Sequence, residues 1–174
     1  MLRSAKSFLN IPIISLYNTA KIGSVLDFVV DPDTGRVIGI IGERGGFLKR
    51  DAKVISTVDV REFSKEALLV DSEDALVSQY DIVKIDSVLK SRIKIFGNRV
   101  VTESGKYLGK VRDYLVDDFF LIAKLYVNPS VTNILSSQLI ISRDSILKIT
   151  KDQIIVSDSL LELAEDTEVV GATQ

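Results

Sequence analysis

A glycine-containing stretch recurs along this chain, and that repeat constrains the fold more than any other feature. Residues 22–31 read IGSVLDFVVD and residues 108–117 read LGKVRDYLVD, which places Gly109 86 positions after Gly23. Two further pairs of segments are similar at almost the same interval, namely residues 64–70 with 150–156 and residues 8–14 with 95–101. An interval of about half the 174-residue chain predicts two copies of one small unit.

The repeat divides the chain into three parts. We expect a first domain over residues 1–85, a second over residues 90–165 and an acidic tail over residues 166–174. Domains of that size bury modest cores, so packing the two copies against each other would stabilise both. An apolar content of 46% predicts ordered globular structure throughout.

The residue types that are absent narrow the function. The chain contains neither cysteine nor histidine, so it lacks the commonest general base, the commonest metal ligand and every thiol nucleophile. We therefore expect no enzyme, no cofactor and no bound metal ion. A net charge of −2 does not favour nucleic acid as a partner.

Hydropathy and cysteine usage bear on location. No run of 18 apolar residues occurs, so no transmembrane helix is expected. The lack of cysteine fits a reducing compartment. We expect a cytoplasmic protein, with peripheral contact to a membrane left open.

Strand patterns dominate the sequence, and the fold class expected is all-β. The turn sequence DPDTG at residues 31–35 links two apolar β-branched runs into a hairpin. Strands are predicted over residues 8–14, 25–31, 36–42, 53–60, 67–70, 98–103, 110–117, 121–127, 139–142, 146–150 and 153–156. Short strands at this spacing predict a small closed or half-open barrel in each copy, and a short helix is predicted after each, over residues 71–80 and 157–164.

These motifs resemble the PRC-barrel family. The shared pattern is [Ile/Leu]-Gly-x-Val-x-Asp-aromatic-x-Val-Asp, followed in the first copy by Pro-x-Thr-Gly-Arg-Val. The family is named for the photosynthetic reaction centre, whose H subunit carries the domain, and it also supplies the C-terminal domain of a ribosomal RNA-processing factor. The resemblance implies two tandem small β-barrels with approximate two-fold symmetry, used mainly for protein–protein contact and without a general catalytic motif.

The two copies depart from each other at two places. The first copy has Leu9-Asn10 where the second has Phe96-Gly97, and the second copy replaces the Pro-x-Thr-Gly turn with Asp117-Asp118-Phe119-Phe120. The aromatic pair Phe119 and Phe120 is either an exposed anchor for a partner or packing between the barrels. Both alternatives stay open at the level of sequence.

The recurring glycines and aspartates are predicted to have structural roles. The glycines at positions 23, 35, 105 and 109 (Gly23, Gly35, Gly105 and Gly109) are predicted to be structural turns or bulges, because no phosphate-binding motif follows them. The aspartates of each copy (Asp27, Asp31 and Asp33, then Asp113, Asp117 and Asp118) lack the spacing of a calcium loop. Turn-capping by their side chains is the simpler interpretation.

The sequence contains two basic stretches. The loop of residues 43–50 carries Arg44, Phe47, Lys49 and Arg50, which would suit an acidic protein surface, an anionic lipid or RNA, or would equally serve as a solvated loop. The stretch of residues 84–94 joins the copies with four more cations and is interpreted as solvated surface.

The function predicted from all of this is a non-enzymatic protein-interaction adaptor or scaffold. Its candidate binding residues are Arg44, Phe47, Lys49, Arg50, Phe119 and Phe120. The alternatives are an RNA- or ribosome-associated processing factor and a peripheral partner of a membrane or photosynthetic complex. The sequence names neither the partner nor the oligomeric state.

Overall fold

The computed structural model describes residues 1–45, 51–129 and 139–159. Within these ranges the chain is mostly β, with one α-helix and short 3-10 turns. The elements of the first half are β1 (Arg3–Ser4), β2 (Pro12–Ser15), β3 (Lys21–Ser24), β4 (Asp27–Asp31), β5 (Arg36–Arg44), β6 (Ala52–Ser56), β7 (Val60–Phe63), β8 (Leu68–Val70), β9 (Val77–Ser78) and α1 (Val83–Ser91). Those of the second half are β10 (Arg99–Thr102), β11 (Tyr107–Val116), β12 (Ile122–Pro129), β13 (Leu139–Ser142), β14 (Ile146–Ile149) and β15 (Gln153–Val156).

These strands pair into three sheets that do not close into barrels. In the first half they run in the orders β3-β2-β8-β7 and β4-β5-β6-β9, and in the second half in the order β13-β12-β11-β10-β15-β14. Of the closed or half-open barrel expected in each copy, the closed form is therefore wrong. In the second half, the outer strands β13 and β14 are joined by the 3-10 turn Arg143–Ser145 and do not pair. In the first half, the turn Thr57–Asp59 joins β6 to β7, which lie in different sheets.

The two halves nevertheless use the same pairing pattern. Ile13 of β2 lies opposite Gly23 and pairs in parallel with Leu68. Val100 of β10 lies opposite Gly109 and pairs in parallel with Ile154. The halves differ mainly at one strand, since β11 is continuous over ten residues whereas residues 25–26 interrupt its counterpart between β3 and β4.

The helices lie elsewhere than the sequence pattern predicts. Residues 71–80 form 3-10 turns and the strand β9, which pairs with β6, so the helix predicted there is wrong. Tertiary pairing wins because Gln79 accepts a hydrogen bond from the Ala52 amide at 2.9 Å and so holds this stretch against β6. The helix lies instead at α1, which buries Ile85 and Val88 on one face.

Two other predicted elements match the structure only in part or fall outside it. The predicted strand over residues 8–14 is wrong at its start, because Ala5–Phe8 form a 3-10 turn capped by Ser4 and the strand begins at Pro12. Of the helix predicted over residues 157–164, residues 160–164 lie outside the described ranges.

The two halves share a boundary made of aromatic side chains and backbone bonds. Phe28 of the first half meets Tyr114 of the second edge-on, with ring centroids 6.4 Å apart. The turns of the two halves also exchange backbone bonds: the Val37 amide donates to the Phe120 carbonyl at 2.8 Å, and the Ile122 amide donates to the Gly35 carbonyl at 3.0 Å. Val37 and Ile122 occupy equivalent positions in the two halves, as do Gly35 and Phe120, so the two bonds are equivalent.

The N-terminal segment crosses to the second half. β1 pairs with β11, and Ala5 lies in the hydrophobic core of the second half. Asp113 fastens the segment by accepting from the Ser4 hydroxyl at 2.5 Å and from the Lys6 amide at 3.0 Å. The halves therefore contribute to each other's cores.

Candidate functional site

A basic groove lies beside the end of β5 and the end of α1. It encloses about 700 Å³ and is lined by Asp27, Phe28, Ile41, Arg44, Gly45, Asp51, Ala52, Gln79, Tyr80, Leu89, Lys90, Arg92, Ile93 and Lys94. Four of these side chains are cations and two are carboxylates. The structure thus brings the predicted Arg44 together with cations from the stretch of residues 84–94.

The carboxylates of the basic groove are occupied by internal partners. Arg44 Nη2 lies 3.2 Å from Asp27 Oδ2, and the Tyr80 hydroxyl donates to Asp51 at 2.7 Å. That hydrogen bond raises the pKa of Tyr80, because the neighbouring carboxylate disfavours a second negative charge. Arg92 and Lys94 form no ion pair with an acidic side chain of the described ranges.

Lys90, which also lines the groove, pairs with an acid of its own helix. Its ammonium group lies 2.6 Å from Asp86 Oδ2, one helical turn away, and 5.9 Å from the centre of the Tyr80 ring. The hydrogen bond from Lys90 lowers the pKa of Asp86 below its ordinary value. The free positive charge of the groove is therefore concentrated at Arg92 and Lys94.

Sequence reasoning missed this juxtaposition. The stretch of residues 84–94 carries no motif, and its cations are interpreted from sequence as ordinary solvated charge. Arg44 and Arg92 lie far apart in the chain, and only the packing of α1 against β4 and β5 brings them together. An indication does exist in the sequence, because the 3-to-4 spacing of Ile85, Val88 and Leu89 predicts a helix with a buried face.

A second surface surrounds Phe119. The Phe119 ring is 73% exposed and borders a groove of about 490 Å³ whose apolar lining includes Ile38, Val58, Ile82 and Ile85. The turn that carries it is held in place, since Arg36 Nη1 donates to the Phe119 carbonyl at 2.9 Å and Asp117 accepts from the Phe119 amide at 2.9 Å.

Its neighbour Phe120 points the other way. Phe120 is half-buried, contacts both hydrophobic cores, and its ring lies 5.5 Å from that of Phe63. Of the two aromatics for which the sequence leaves both alternatives open, Phe119 is exposed and Phe120 packs between the halves. Phe47, Lys49 and Arg50 lie outside the described residues.

The four glycines divide into two kinds. Gly35 and Gly105 lie in turns with φ of 71° and 87°. Gly23 and Gly109 lie within β3 and β11, each beside a register shift in the pairing with β2 and β10, so of the predicted turn or bulge these two positions have the bulge. A Cβ at these two positions would lie 2.9 Å from the Gly42 carbonyl oxygen and 1.9 Å from the Asn128 carbonyl oxygen, respectively, so close approach of a neighbouring strand requires glycine.

The aspartates cap turns and pair with cations. Asp31 accepts from the Thr34 hydroxyl at 3.0 Å and lies 3.1 Å from Lys84 Nζ, and Asp117 also accepts from the Leu121 amide. Across residues 1–45, 51–129 and 139–159, no three acidic side chains converge in a way that could hold a metal ion. No helix in those same ranges has the length and hydropathy needed to span a bilayer.

Comparison with known families finds a similarity in the first half. The family model described as "PRC-barrel domain" matches residues 4–87, a little under half of the chain. Residues 4–87 are thus similar to a PRC-barrel domain, and the family match does not extend into the second half. No curated protein matches the chain.

Proposed function

We propose that the protein is a non-enzymatic adaptor or scaffold that binds other proteins and is built from two copies of the PRC-barrel domain. In this proposal residues 90–165 form a second, diverged copy, related to the first by an approximate two-fold axis. Support comes from the matching registers around Gly23 and Gly109. The reciprocal bonds between the two hairpin turns support the same arrangement.

The exposure of Phe119 carries the binding proposal. An aromatic ring buries a large apolar area on contact, and a turn whose backbone is already fixed loses little conformational entropy on binding. Val58, 81% exposed, lies on the same surface. A solvent-exposed apolar ring beside an apolar groove is typical of an interface with another protein.

The amino-acid composition supports the non-enzymatic part of the proposal. A chain without histidine or cysteine has no activated nucleophile of the usual kinds. The same lack of cysteine suits a reducing compartment, and we place the proposed binding in the cytoplasm.

The test compares two exposed aromatics. Tagged protein carrying Phe119→Ser and tagged protein carrying Tyr17→Ser are used to capture partners from a native lysate after chemical cross-linking. Tyr17 is the control, because it is 87% exposed but lies on a hairpin turn of the first half. We expect a partner that cross-links near residue 119 to be lost with Phe119→Ser and kept with Tyr17→Ser.

Two results would contradict the proposal. One is an unchanged set of cross-linked proteins with Phe119→Ser, verified as folded by circular dichroism. The other is an enzymatic activity that remains with the protein after it has been purified to homogeneity.

A further inference from the structure

We propose that the basic groove binds an acidic peptide segment of a partner protein, one in which apolar residues alternate with Asp or Glu. This surface is distinct from the one around Phe119. The two would allow the protein to hold two partners at once, which goes beyond the proposed function.

The floor of the groove is apolar and the rim is charged. Phe28, Ile41, Leu89 and Ile93 contribute to the lining, and Phe28 and Ile93 are only partly buried by the core behind them. Arg44, Arg92 and Lys94 are exposed at the groove. A segment that carries both apolar and acidic side chains matches the floor and the rim together.

The charge of the groove differs from that of the protein. The chain as a whole carries a net charge of −2, whereas the groove lining holds four cations and two carboxylates. Asp27 is paired with Arg44, whereas Asp51 accepts a hydrogen bond from the neutral Tyr80 and keeps its charge. Because the cations of the lining still outnumber its carboxylates by two, an incoming carboxylate is attracted to Arg92 and Lys94.

The backbone around these two cations is fixed before any partner arrives. Arg92 caps α1 in the left-handed conformation, with φ of 57°, and its amide donates to the Leu89 carbonyl at 3.1 Å. The Lys94 carbonyl accepts from the buried Asn98 amide group at 2.9 Å. Because Ile93 between them packs against the core of the second half, both side chains leave an ordered segment. Such preorganisation lowers the entropic cost of binding.

The shape and composition favour a peptide over the other polyanions. Tyr80 is the one exposed aromatic that the groove lining offers, whereas single-stranded nucleic acid usually stacks on several rings. A groove with an apolar floor admits a chain and its side chains, whereas a vesicle surface would meet only the rim. The occupant argued for is thus a protein segment.

The probe is a short fluorescein-labelled peptide in which Glu alternates with Leu, and its binding is followed by fluorescence anisotropy. The matched control peptide replaces every Glu with Gln. We expect the acidic peptide to bind and to weaken with rising salt, and the double variant Arg92→Glu/Lys94→Glu to bind it at least about tenfold more weakly. The control variant Lys65→Glu/Lys148→Glu makes the same charge change at two exposed lysines outside the groove and should bind as the wild type does.

Several outcomes would overturn the proposal. These are equal binding of the Glu and Gln peptides, an equal loss in the control variant, and groove-dependent binding of phosphatidylserine vesicles or polyuridylate in preference to the peptide. Phe119→Ser should keep full peptide affinity. The proposal for the groove can therefore be contradicted while the proposal for the Phe119 surface is supported, or the other way round. If Arg92→Glu/Lys94→Glu proves unfolded by circular dichroism, Arg92→Gln/Lys94→Gln takes its place and should weaken binding in the same direction.

Discussion

The two hairpin turns that meet at the boundary between the halves reach the same backbone conformation with very different residues. The turn of the first half ends on Gly35, with φ of 71°, and that of the second half ends on Phe120, with φ of 61°. Glycine adopts the left-handed region without strain, whereas a residue with a Cβ pays about 1–2 kcal/mol. The second half tolerates that strain because the Phe120 ring fills space between the two cores.

A second pair of positions follows the same rule. Asn10 and Gly97 occupy equivalent positions just before β2 and β10, with φ of 69° and 75°. Asn is among the few non-glycine residues that tolerate this region. The two halves thus resemble each other more closely in backbone path than in side chains, and each difference in side chain has its own energetic consequence.

The largest difference is expected between the two strand glycines. Gly109→Ala should lower the free energy of unfolding by about 3–5 kcal/mol, because the Cβ would collide with a backbone oxygen at a position where φ is 148°. Gly23→Ala should cost about 1–2 kcal/mol, since its collision is milder. Urea denaturation followed by circular dichroism measures both. Equal losses would show that the close approach of strands is not the cause.

The boundary turn offers an unusual order of substitutions. Phe120→Ala should lose about 2–3 kcal/mol of stability through lost packing, and Phe120→Gly should be about 1 kcal/mol more stable than Phe120→Ala because it removes the strain of the left-handed backbone. In an ordinary turn or strand the glycine variant would be the less stable one. Thermal denaturation of both, with the exposed Phe119→Ala as a nearly unchanged control, measures this order. A less stable glycine variant would contradict the strain.

The Asp31–Lys84 pair gives the first half a pH dependence. Burial raises the pKa of Asp31, but hydrogen bonds from Lys84, Thr34 and the Asp33 amide outweigh it, so the pKa lies below its ordinary value. A lowered pKa means that the stabilisation is complete above the unfolded pKa of about 4 and is lost as the pH falls through the lower folded value.

Asp31→Asn should therefore lower the free energy of unfolding at pH 7 by about 1–2 kcal/mol. The difference from the wild type should shrink as the pH falls below about 4. Urea titrations at several pH values measure it. The exposed Asp33→Asn is the control and should change little at pH 7, whereas a pH-independent loss in Asp31→Asn would exclude the charge as its source.

The positions of many strands along the chain follow from local sequence pattern, and the closure of the sheets does not. β13 and β15 have the predicted bounds, Leu139–Ser142 and Gln153–Val156, because each is a β-branched run between turn residues. Whether β6 and β7 pair across Thr57–Asp59 depends on a single turn and on distant packing. The basic groove could not be predicted either, because the position of α1 beside β4 decides which cations face it.

The smallest effect is expected at a contact that one half makes and the other lacks. Arg143 of the second half donates from Nη2 to the Thr34 carbonyl at 2.8 Å and lies against Gly35. Its counterpart, Thr57, donates instead to the Val37 carbonyl within its own half. Arg143→Ala should therefore cost about 0.5–1.5 kcal/mol, the net worth of one hydrogen bond.

The same substitution should loosen the boundary locally. Amide exchange at Val37 and Ile122, whose bonds join the two turns, should speed up in Arg143→Ala more than exchange within β2. Thr57→Val is the matched control, because it removes a bond that stays inside the first half. If both variants accelerate exchange at Ile122 equally, the guanidinium group of Arg143 does not hold the halves together.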